Sequence, residues 1–331
     1  MPSQYQKQNN YANFIKQYGP FHPLLHNSDV ISDEEHCIAE YFGVFIVDRT
    51  HKFEPSKQYK IAEPVPEGFT NCSFEECVDQ QAYYIAENFK DRHIVLMWSG
   101  GLDSTTAFYG LIKTGIQIHM HINHHAISEF PLLAAQILSG QFENVTAEYV
   151  YTGFMGMPHP KWEFDFNDYI EKHPDILVIT GEIGDQIFGS AVSYSRSYNT
   201  RQKPYREVVP KEVVELLDPT VLNFLNKPYD KITFSEWTWA VNFTCKYQDV
   251  LMRMGSQWGL LPVEPYYNCV HFYNNPNFQR WAMQNYQSNC DYQEKHQYKQ
   301  KMRDYLLQEG CDEKYCNTKW KMGSLCRVAY K

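Results

Sequence analysis

A short segment rich in glycine and hydroxyl residues is the part of the sequence best suited to bind an anion. Residues 99–105 read Ser-Gly-Gly-Leu-Asp-Ser-Thr and follow a strand-length apolar run at 93–98. Backbone N–H groups at a helix N-terminus attract phosphate, and paired glycines let it approach the backbone closely. The segment is neither a G-x-x-x-x-G-K-[ST] loop nor a G-x-G-x-x-G loop. Asp103 would repel phosphate unless a cation lay between them, which predicts bridging by Mg²⁺.

The sequence around this segment alternates between strand-like and helix-like stretches. A continuous apolar run of strand length lies at 93–98, and further strands are predicted at 116–122, 145–151 and 176–180. Helices are predicted at 73–90, 104–113, 129–138 and 166–172. Ser73 with Glu76 three positions later is the pattern of a capping box at the start of the first helix. Strands that alternate with helices in this way predict an α/β fold, an open parallel sheet with flanking helices.

The pattern changes on either side of this region, which predicts three segments. Residues 71–200 are expected to form the α/β core, and residues 201–331 a mainly helical C-terminal lobe, because helical periodicity dominates after residue 210. Residues 1–70 have an uncertain fold, with one strand expected at 42–47.

Two segments resemble motifs of one enzyme superfamily. Residues 99–104 are similar to the S-G-G-x-D-S pyrophosphate loop of the PP-loop ATP pyrophosphatases, which cleave ATP to AMP and pyrophosphate. Residues 180–189 (Thr-Gly-Glu-Ile-Gly-Asp-Gln-Ile-Phe-Gly) resemble the G-E-G-x-D-E-x-F-G-G motif of the asparagine synthetase branch. The resemblance covers 71–331 and implies an adenine nucleotide alpha hydrolase-like fold. It also implies an AMP-forming ligase that activates a carboxylate as an acyl-adenylate, which an amine or ammonia then attacks to form an amide.

The resemblance also implies which residues would do this chemistry, with ATP and Mg²⁺ as cofactors. It places Glu182 at the catalytic acidic position and Asp185 beside Asp103 as a second Mg²⁺ carboxylate. Ligands gather at the carboxyl ends of parallel strands, so the two aspartates could share the metal–pyrophosphate group. The residues expected to contact the nucleotide are Met97, Ser99, Gly100, Gly101, Asp103, Ser104, Thr105, Ile122, Thr180 and Gly181. Solvated loop acids remain the alternative for Glu182 and Asp185.

Two C-terminal segments resemble further motifs of the branch. Residues 298–307 are similar to its K-x-x-L-R helix and residues 319–324 to its R-x-K-x-G-F turn. The resemblance puts Lys321 at the position of the catalytic lysine and Arg253 on a family arginine. A lysine over the α-phosphate would neutralise the charge that grows as the carboxylate attacks phosphorus. Lys319 remains a candidate for that role, and a plain surface lysine is the competing interpretation.

The chain departs from the branch pattern around the expected acyl substrate. The departures are Ile183 and Ser190 in place of glycines, Gln186 in place of glutamate, Val263 in place of arginine and Asn268 in place of aspartate. The identity of the carboxylate is therefore left open, and a catalytically inactive nucleotide-binding homologue stays an alternative.

The source of nitrogen is also left open. Glutamine-dependent relatives begin with a cysteine nucleophile after the initiator Met, whereas residue 2 here is Pro, so no N-terminal glutaminase domain is expected. The expected partners are small-molecule carboxylate and amine or ammonia substrates, with a separate ammonia-supplying subunit and a homodimer left open.

The net charge, the cysteine spacing and the length of the apolar runs argue against several classes of protein and partner. The 331 residues carry a formal charge of −9, which makes nucleic acid an unlikely partner. Residues 295–331 hold nine basic against four acidic residues, which is the main support for the alternative of a PP-loop nucleobase- or tRNA-modifying enzyme. The nine cysteines include no C-x-x-C pair, and no apolar run is long enough to span a membrane. Together these features predict a cytoplasmic protein with no membrane partner.

Four histidines stand near the end of the second predicted strand, at positions 119, 121, 124 and 125. His119 and His121 would share one strand face, which is the arrangement of a pair of metal ligands. No acid or cysteine close in sequence completes a tetrahedral set, so histidines packed without a metal are the favoured expectation.

Overall fold

A computed structural model describes residues 48–50, 52, 64–150, 169, 172–189, 198–248, 250–251, 269–292, 294 and 297–319. Several sequence predictions lie outside these residues. They are the strand at 42–47, most of the helix at 166–172, and the roles and departures assigned to Ser190, Arg253, Val263, Asn268 and Lys321.

Five parallel strands form the sheet at the centre of the fold. They are β1 (His93–Met97), β2 (Ile118–Ile122), β3 (Val145–Tyr149), β4 (Ile176–Thr180) and β5 (Cys269–His271), in the spatial order β3-β2-β1-β4-β5. β1 and β4 lie side by side, with His93 paired with Ile176 and Met97 paired with Thr180. The predicted α/β class with an open parallel sheet is confirmed.

Ten α-helices surround the sheet in the described residues. They are α1 (Phe74–Phe89), α2 (Leu102–Ile112), α3 (His124–Glu129), α4 (Pro131–Leu138), α5 (Gly184–Phe188), α6 (Lys211–Leu225), α7 (Phe234–Thr244), α8 (Pro276–Cys290), α9 (Gln300–Gln308) and α10 (Glu313–Thr318). Three single 3₁₀ turns lie at Tyr198–Thr200, Tyr205–Glu207 and Tyr229–Lys231. The capping box expected at Ser73 and Glu76 is present at the start of α1.

The chain order and the spatial order of the strands differ at one place. β2 and β3 extend the sheet on one side of β1, whereas β4 and β5 extend it on the other. The connections that follow β1 and β4 therefore leave neighbouring strands in opposite directions. In open α/β sheets a crevice opens at this switch point, outside the carboxyl ends of the two strands. Both acidic segments singled out in the sequence, 99–105 and 180–189, begin there.

The structure differs from the sequence predictions in two elements. β5 contributes a strand from the part of the chain expected to be mainly helical, and its three residues are too few to give a strand pattern. The helix expected at 129–138 begins at Pro131 as α4, and a short helix that was not predicted, α3, precedes it. Phe130 separates the two because it precedes Pro131 and adopts φ −145° and ψ 77°.

The C-terminal helices α9 and α10 pack near the crevice at the carboxyl ends of the strands. α9 packs against α1, α2 and α10, and buries Met302, Tyr305 and Leu306 in the main apolar core. This packing brings the residues just before α9 and just after α10 close to the crevice. In the described residues no helix is both long and apolar enough to cross a bilayer.

Candidate active site

The segment after β1 has the backbone form of an anion-binding loop. Gly100 has φ +73°, and a Cβ added there would lie 2.6 Å from the Ala126 carbonyl oxygen, so only glycine fits. Gly101 is the N-cap of α2, which leaves the first N–H groups of that helix without a capping side chain. Ser99 N–H donates to Ser104 Oγ at 3.1 Å, which folds the loop back on the helix start. N–H groups at such a helix start favour a negatively charged ligand.

The segment after β4 packs directly on this loop. A Cβ at Gly181 would lie 2.6 Å from the Ser104 nitrogen, and one at Gly184 would fall on the Asp103 carboxylate. Two glycines therefore allow the ends of β1 and β4 to share one small volume. The contact explains why glycine stands at both positions of the 180–189 segment.

At this contact, the carboxylates of Asp103 and Asp185 both form ion pairs with one lysine, Lys299. Lys299 Nζ lies 2.5 Å from Asp103 Oδ1 and 2.7 Å from Asp185 Oδ1. Tyr298 OH also donates to Asp185 Oδ1 at 3.1 Å. The structure thus brings Asp103 and Asp185 to one cationic group, which the chain itself supplies 196 residues after Asp103.

The lysine and the carboxylates differ in exposure. The Lys299 side chain is 2% exposed, whereas Asp103 is 24% and Asp185 is 27% exposed. Burial alone would lower the pKa of Lys299, but the charges of Asp103 and Asp185 outweigh it and raise that pKa above its ordinary value. The lysine contacts both oxygens of Asp103 and one oxygen of Asp185, and about a quarter of each acidic side chain remains exposed. Carboxylate oxygens arranged in this way suit a hard cation such as Mg²⁺.

Tyrosines from distant elements fix the backbone of the anion-binding loop. Tyr315 OH of α10 donates to the Gly100 carbonyl oxygen at 2.8 Å, and its ring stacks on Phe130 with 3.7 Å between centroids. Tyr273 OH donates to the Asp103 carbonyl oxygen at 2.8 Å. Trp98 Nε1 donates to Thr105 Oγ1 at 3.1 Å. The loop is thus held in one conformation before any ligand arrives.

A second lysine lies beside the loop. Lys319, which directly follows α10, forms an ion pair with Glu129. The two side chains are 10% and 17% exposed. The Glu129 Cβ lies 2.7 Å from the position of an added Gly100 Cβ, so the pair borders the loop after β1. Burial lowers the pKa of Lys319 to about 8, and the negative charge of Glu129 acts against this shift.

Arg303 ties the two C-terminal segments of the site together. Its guanidinium group is 1% exposed and donates to the carbonyl oxygens of Tyr298 at 2.9 Å and Lys319 at 2.6 Å, and also to that of Cys316. The planar, five-donor group suits this triple contact. Arg303 therefore fixes Lys299 and Lys319 relative to each other.

The end of β4 is fastened to β5. Thr180 Oγ1 lies 2.7 Å from His271 Nδ1, and Glu182 N–H donates to Thr180 Oγ1 at 3.2 Å. Burial, and next the Glu182 charge, raise the pKa of Cys269 to about 12, which places Glu182 beside the start of β5. Ile183 adopts φ +74°, a left-handed conformation that is strained for a β-branched residue. This strain gives a physical reason for the glycine of the motif that Ile183 replaces.

The remaining predicted contacts are distributed around the same crevice. Met97 ends β1, in register with Thr180, and Ser99, Ser104 and Thr105 lie in or after the loop. Ile122 ends β2, but its side chain is fully buried in the apolar core, so only its backbone faces the strand end. Gln186 is buried and donates to Asn242 Oδ1 at 3.2 Å, a structural contact with α7.

The sequence interpretation missed the groups that hold these residues in place. Lys299 stands within the segment that resembles the K-x-x-L-R helix, so that resemblance contained the signal, but no role was assigned to it. Tyr315 and Glu129 gave no signal, because nothing near them in sequence indicates contact with the loop.

No protein-family model matches the chain, and no curated protein matches it. The resemblance to PP-loop motifs therefore depends on the segments 99–104, 180–189, 298–307 and 319–324 themselves.

Proposed function

We propose that the protein is an AMP-forming carbon–nitrogen ligase of the PP-loop type, similar to the synthetase domain of asparagine synthetases. One observation carries the proposal. The loops after β1 and β4 meet at the switch point of the sheet, and their carboxylates, Asp103 and Asp185, share one buried lysine. A helix N-terminus beside two partly exposed carboxylates suits a magnesium–triphosphate ligand.

In this proposal, different residues contribute to different parts of the adenylation reaction. The N–H groups of residues 100–104 would hold the pyrophosphate part of ATP, and Asp103 and Asp185 would hold Mg²⁺. ATP supplies the α-phosphorus that a substrate carboxylate attacks, and the acyl-adenylate then gives up AMP to an amine or ammonia. Lys319 or Lys321 would neutralise the charge that grows on the α-phosphate. Glu182 would orient that lysine or accept a proton from the amine.

The test is pyrophosphate–ATP isotope exchange with Mg²⁺, scanned over aspartate, glutamate, other small carboxylates and bulk tRNA. Exchange that depends on one carboxylate is the expected result and would also identify the acyl substrate. Asp103→Asn and Asp185→Asn are expected to reduce exchange by at least 100-fold, the order of a lost electrostatic contact in a transition state. Asp304→Asn is the matched control, because Asp304 lies on the outer side of α9 and pairs with Lys301 at 3.9 Å.

Two other outcomes would overturn the proposal. Exchange that requires tRNA would instead indicate an enzyme that modifies a nucleobase. Binding of ATP without exchange under any of these substrates would indicate a nucleotide-binding homologue that has lost the chemistry.

A further inference from the structure

A group of potential metal ligands lies on one face of the sheet. His119 and His121 occupy alternate positions of β2, so their side chains point to the same face. Glu148 of β3 stands in register with His121, and Thr146 stands in register with His119. The neighbouring strand thus supplies the acid that was missing near the histidines in sequence. Among the residues that the structure describes, this is the only group of three such side chains whose ligand atoms lie within 4.8 Å of one another.

Two of the three distances between the ligand atoms are close to the edges of a metal coordination tetrahedron, and the third is within 4.8 Å. His121 Nε2 lies 3.2 Å and His119 Nε2 lies 3.7 Å from the same oxygen, Glu148 Oε1. Bonds of about 2.0–2.1 Å from Zn²⁺ to nitrogen and oxygen place tetrahedral ligands about 3.3 Å apart. One of the two distances already has this value, and the other exceeds it by a few tenths of an ångström. A small rotation of an imidazole would therefore complete the set.

The orientation of His119 is set by a second hydrogen bond. Its Nδ1 lies 2.9 Å from Thr146 Oγ1. When Nδ1–H donates to that hydroxyl group, the lone pair of Nε2 points towards Glu148. Histidines that bind metals usually donate their other ring N–H group to a fixed acceptor in this way.

The charge state of the group also suits a cation. Burial lowers the pKa of His121 to about 3 and also lowers that of His119. Near neutral pH both imidazoles are therefore neutral, and the Nε2 atoms of both face one carboxylate oxygen. An imidazole whose proton is on Nδ1 directs an Nε2 lone pair at that oxygen, and a cation between the two removes the repulsion. Neutral imidazole and ionised carboxylate are the forms that bind metal ions.

The neighbouring histidines are engaged elsewhere. His93 Nε2 lies 2.8 Å from Tyr169 OH, and the His93 ring stacks on His173 with 4.5 Å between centroids. The protein thus offers three ligands. The Glu148 side chain is 45% exposed, which gives an ion an entry path from solvent and leaves room for water as a fourth ligand.

We propose that His119, His121 and Glu148 form a Zn²⁺ site that links β2 to the edge strand β3. The site lies on β2 and β3, and it does not depend on the proposed ligase activity.

The test uses the full chain, stripped with a chelator and then titrated with Zn²⁺ or with Co²⁺ as a coloured substitute. One equivalent of Zn²⁺ is expected to bind, and Co²⁺ is expected to give the intense visible absorption of a four-coordinate site. Glu148→Gln is the main variant, because its exposed side chain can change without disturbing the core, and it should weaken Zn²⁺ binding by at least 10-fold. Thr146→Val should weaken it by about 10–100-fold, since it removes only the group that orients His119.

His125→Ala provides the control. His124 and His125 lie close together, with 3.9 Å between ring centroids, and could hold an ion adventitiously. This variant should bind Zn²⁺ as the unmodified chain does. Binding of less than one equivalent by the unmodified chain, unchanged affinity in Glu148→Gln, or loss of the ion in His125→Ala would each overturn the proposal.

Discussion

At the scale of single residues, Lys299 acts as a permanent counter-ion of two aspartates. Its single positive charge lies between Asp103 and Asp185 and offsets one of their two negative charges, which would otherwise repel each other at the contact between two loops. We expect Lys299→Met to lower the free energy of unfolding by about 3–5 kcal/mol, the usual cost of removing one partner from a buried charge pair. Mg²⁺ should restore part of this loss, because a divalent ion can bind the same carboxylates. Urea denaturation with and without Mg²⁺ measures both effects.

Lys301→Met is the matched control for this prediction. Lys301 lies on the same helix, but its side chain is 54% exposed and 3.9 Å from Asp304. Its replacement should change stability by less than about 0.5 kcal/mol, as is usual for surface substitutions. Equal stabilities of the two variants would show that Lys299 is not the counter-ion of the site.

Lys319 gives the site a dependence on pH. Burial lowers its pKa from the ordinary 10.5 to about 8, so its positive charge is lost as the pH rises through about 8. If this charge supports adenylation, kcat/KM for exchange should fall above pH 8 with a single ionisation. Lys319→Arg should remove this fall, because arginine stays charged throughout the range. A fall that persists in Lys319→Arg and vanishes in Lys321→Arg would assign the role to Lys321 instead.

At the scale of elements, α9 and α10 act on the crevice as one unit. Arg303 lies on α9 and donates to the carbonyl oxygens of Tyr298, just before α9, and of Lys319, directly after α10. We expect Arg303→Met to lose exchange activity and to be destabilised by several kcal/mol, since each buried carbonyl group left unpaired costs about 1–3 kcal/mol. Arg303→Lys should rescue little, because an ammonium group cannot reach the same three carbonyl oxygens. Thermal unfolding and exchange assays measure the two effects.

Arg280→Met distinguishes this role from a general loss of an arginine. Arg280 Nε donates to one backbone oxygen, that of Glu67, at 2.8 Å near the surface. The variant should keep both stability and exchange activity. Full activity of Arg303→Met would mean that the position of Lys319 does not matter for the chemistry.

At the scale of the whole molecule, the buried histidines of the sheet predict sensitivity to acid. Burial lowers the pKa values of His93, His119 and His121, the last from 6.5 to about 3. Between these pH values the unfolded chain binds more protons than the folded chain, so the free energy of unfolding should decrease as the pH falls. The groups that face these rings include Glu148, whose charge opposes the shift at His119, and His173, whose charge adds to it.

Denaturation in the presence of a chelator, at several pH values between 7 and 4, measures this effect. His121→Gln should flatten the dependence of stability on pH, even though the variant is less stable at neutral pH. His124→Gln is the control and should keep the original slope. Parallel slopes for His121→Gln and the unmodified chain would contradict the prediction.

The local sequence pattern predicted much of the sheet and less of the site. β1 and β4 were evident because they are almost wholly apolar runs, and β2 and β3 were indicated by their alternation with helical stretches, whereas β5 has only three residues. The placement of Asp103 and Asp185 after neighbouring strands could be predicted, since ligands collect at strand ends. Glu148 and Lys299 could not be assigned to their clusters, because only strand register or tertiary packing brings them there. The roles of these acids with Mg²⁺ and ATP stay predictions.

The separation of Asp103 from Lys299 along the chain has a consequence for biosynthesis. The two residues are 196 positions apart, so a growing polypeptide carries both aspartates long before their counter-ion exists. The second aspartate, Asp185, precedes Lys299 by 114 positions, and at about 5–20 residues per second this interval lasts about 6–23 s on the ribosome. The strands β1 to β4 can emerge and pair during that time, but the contact between the two acidic loops remains electrostatically opposed. Closure of the crevice is therefore a late step of maturation, and nascent or truncated chains that lack α9 would expose an unneutralised acidic pair.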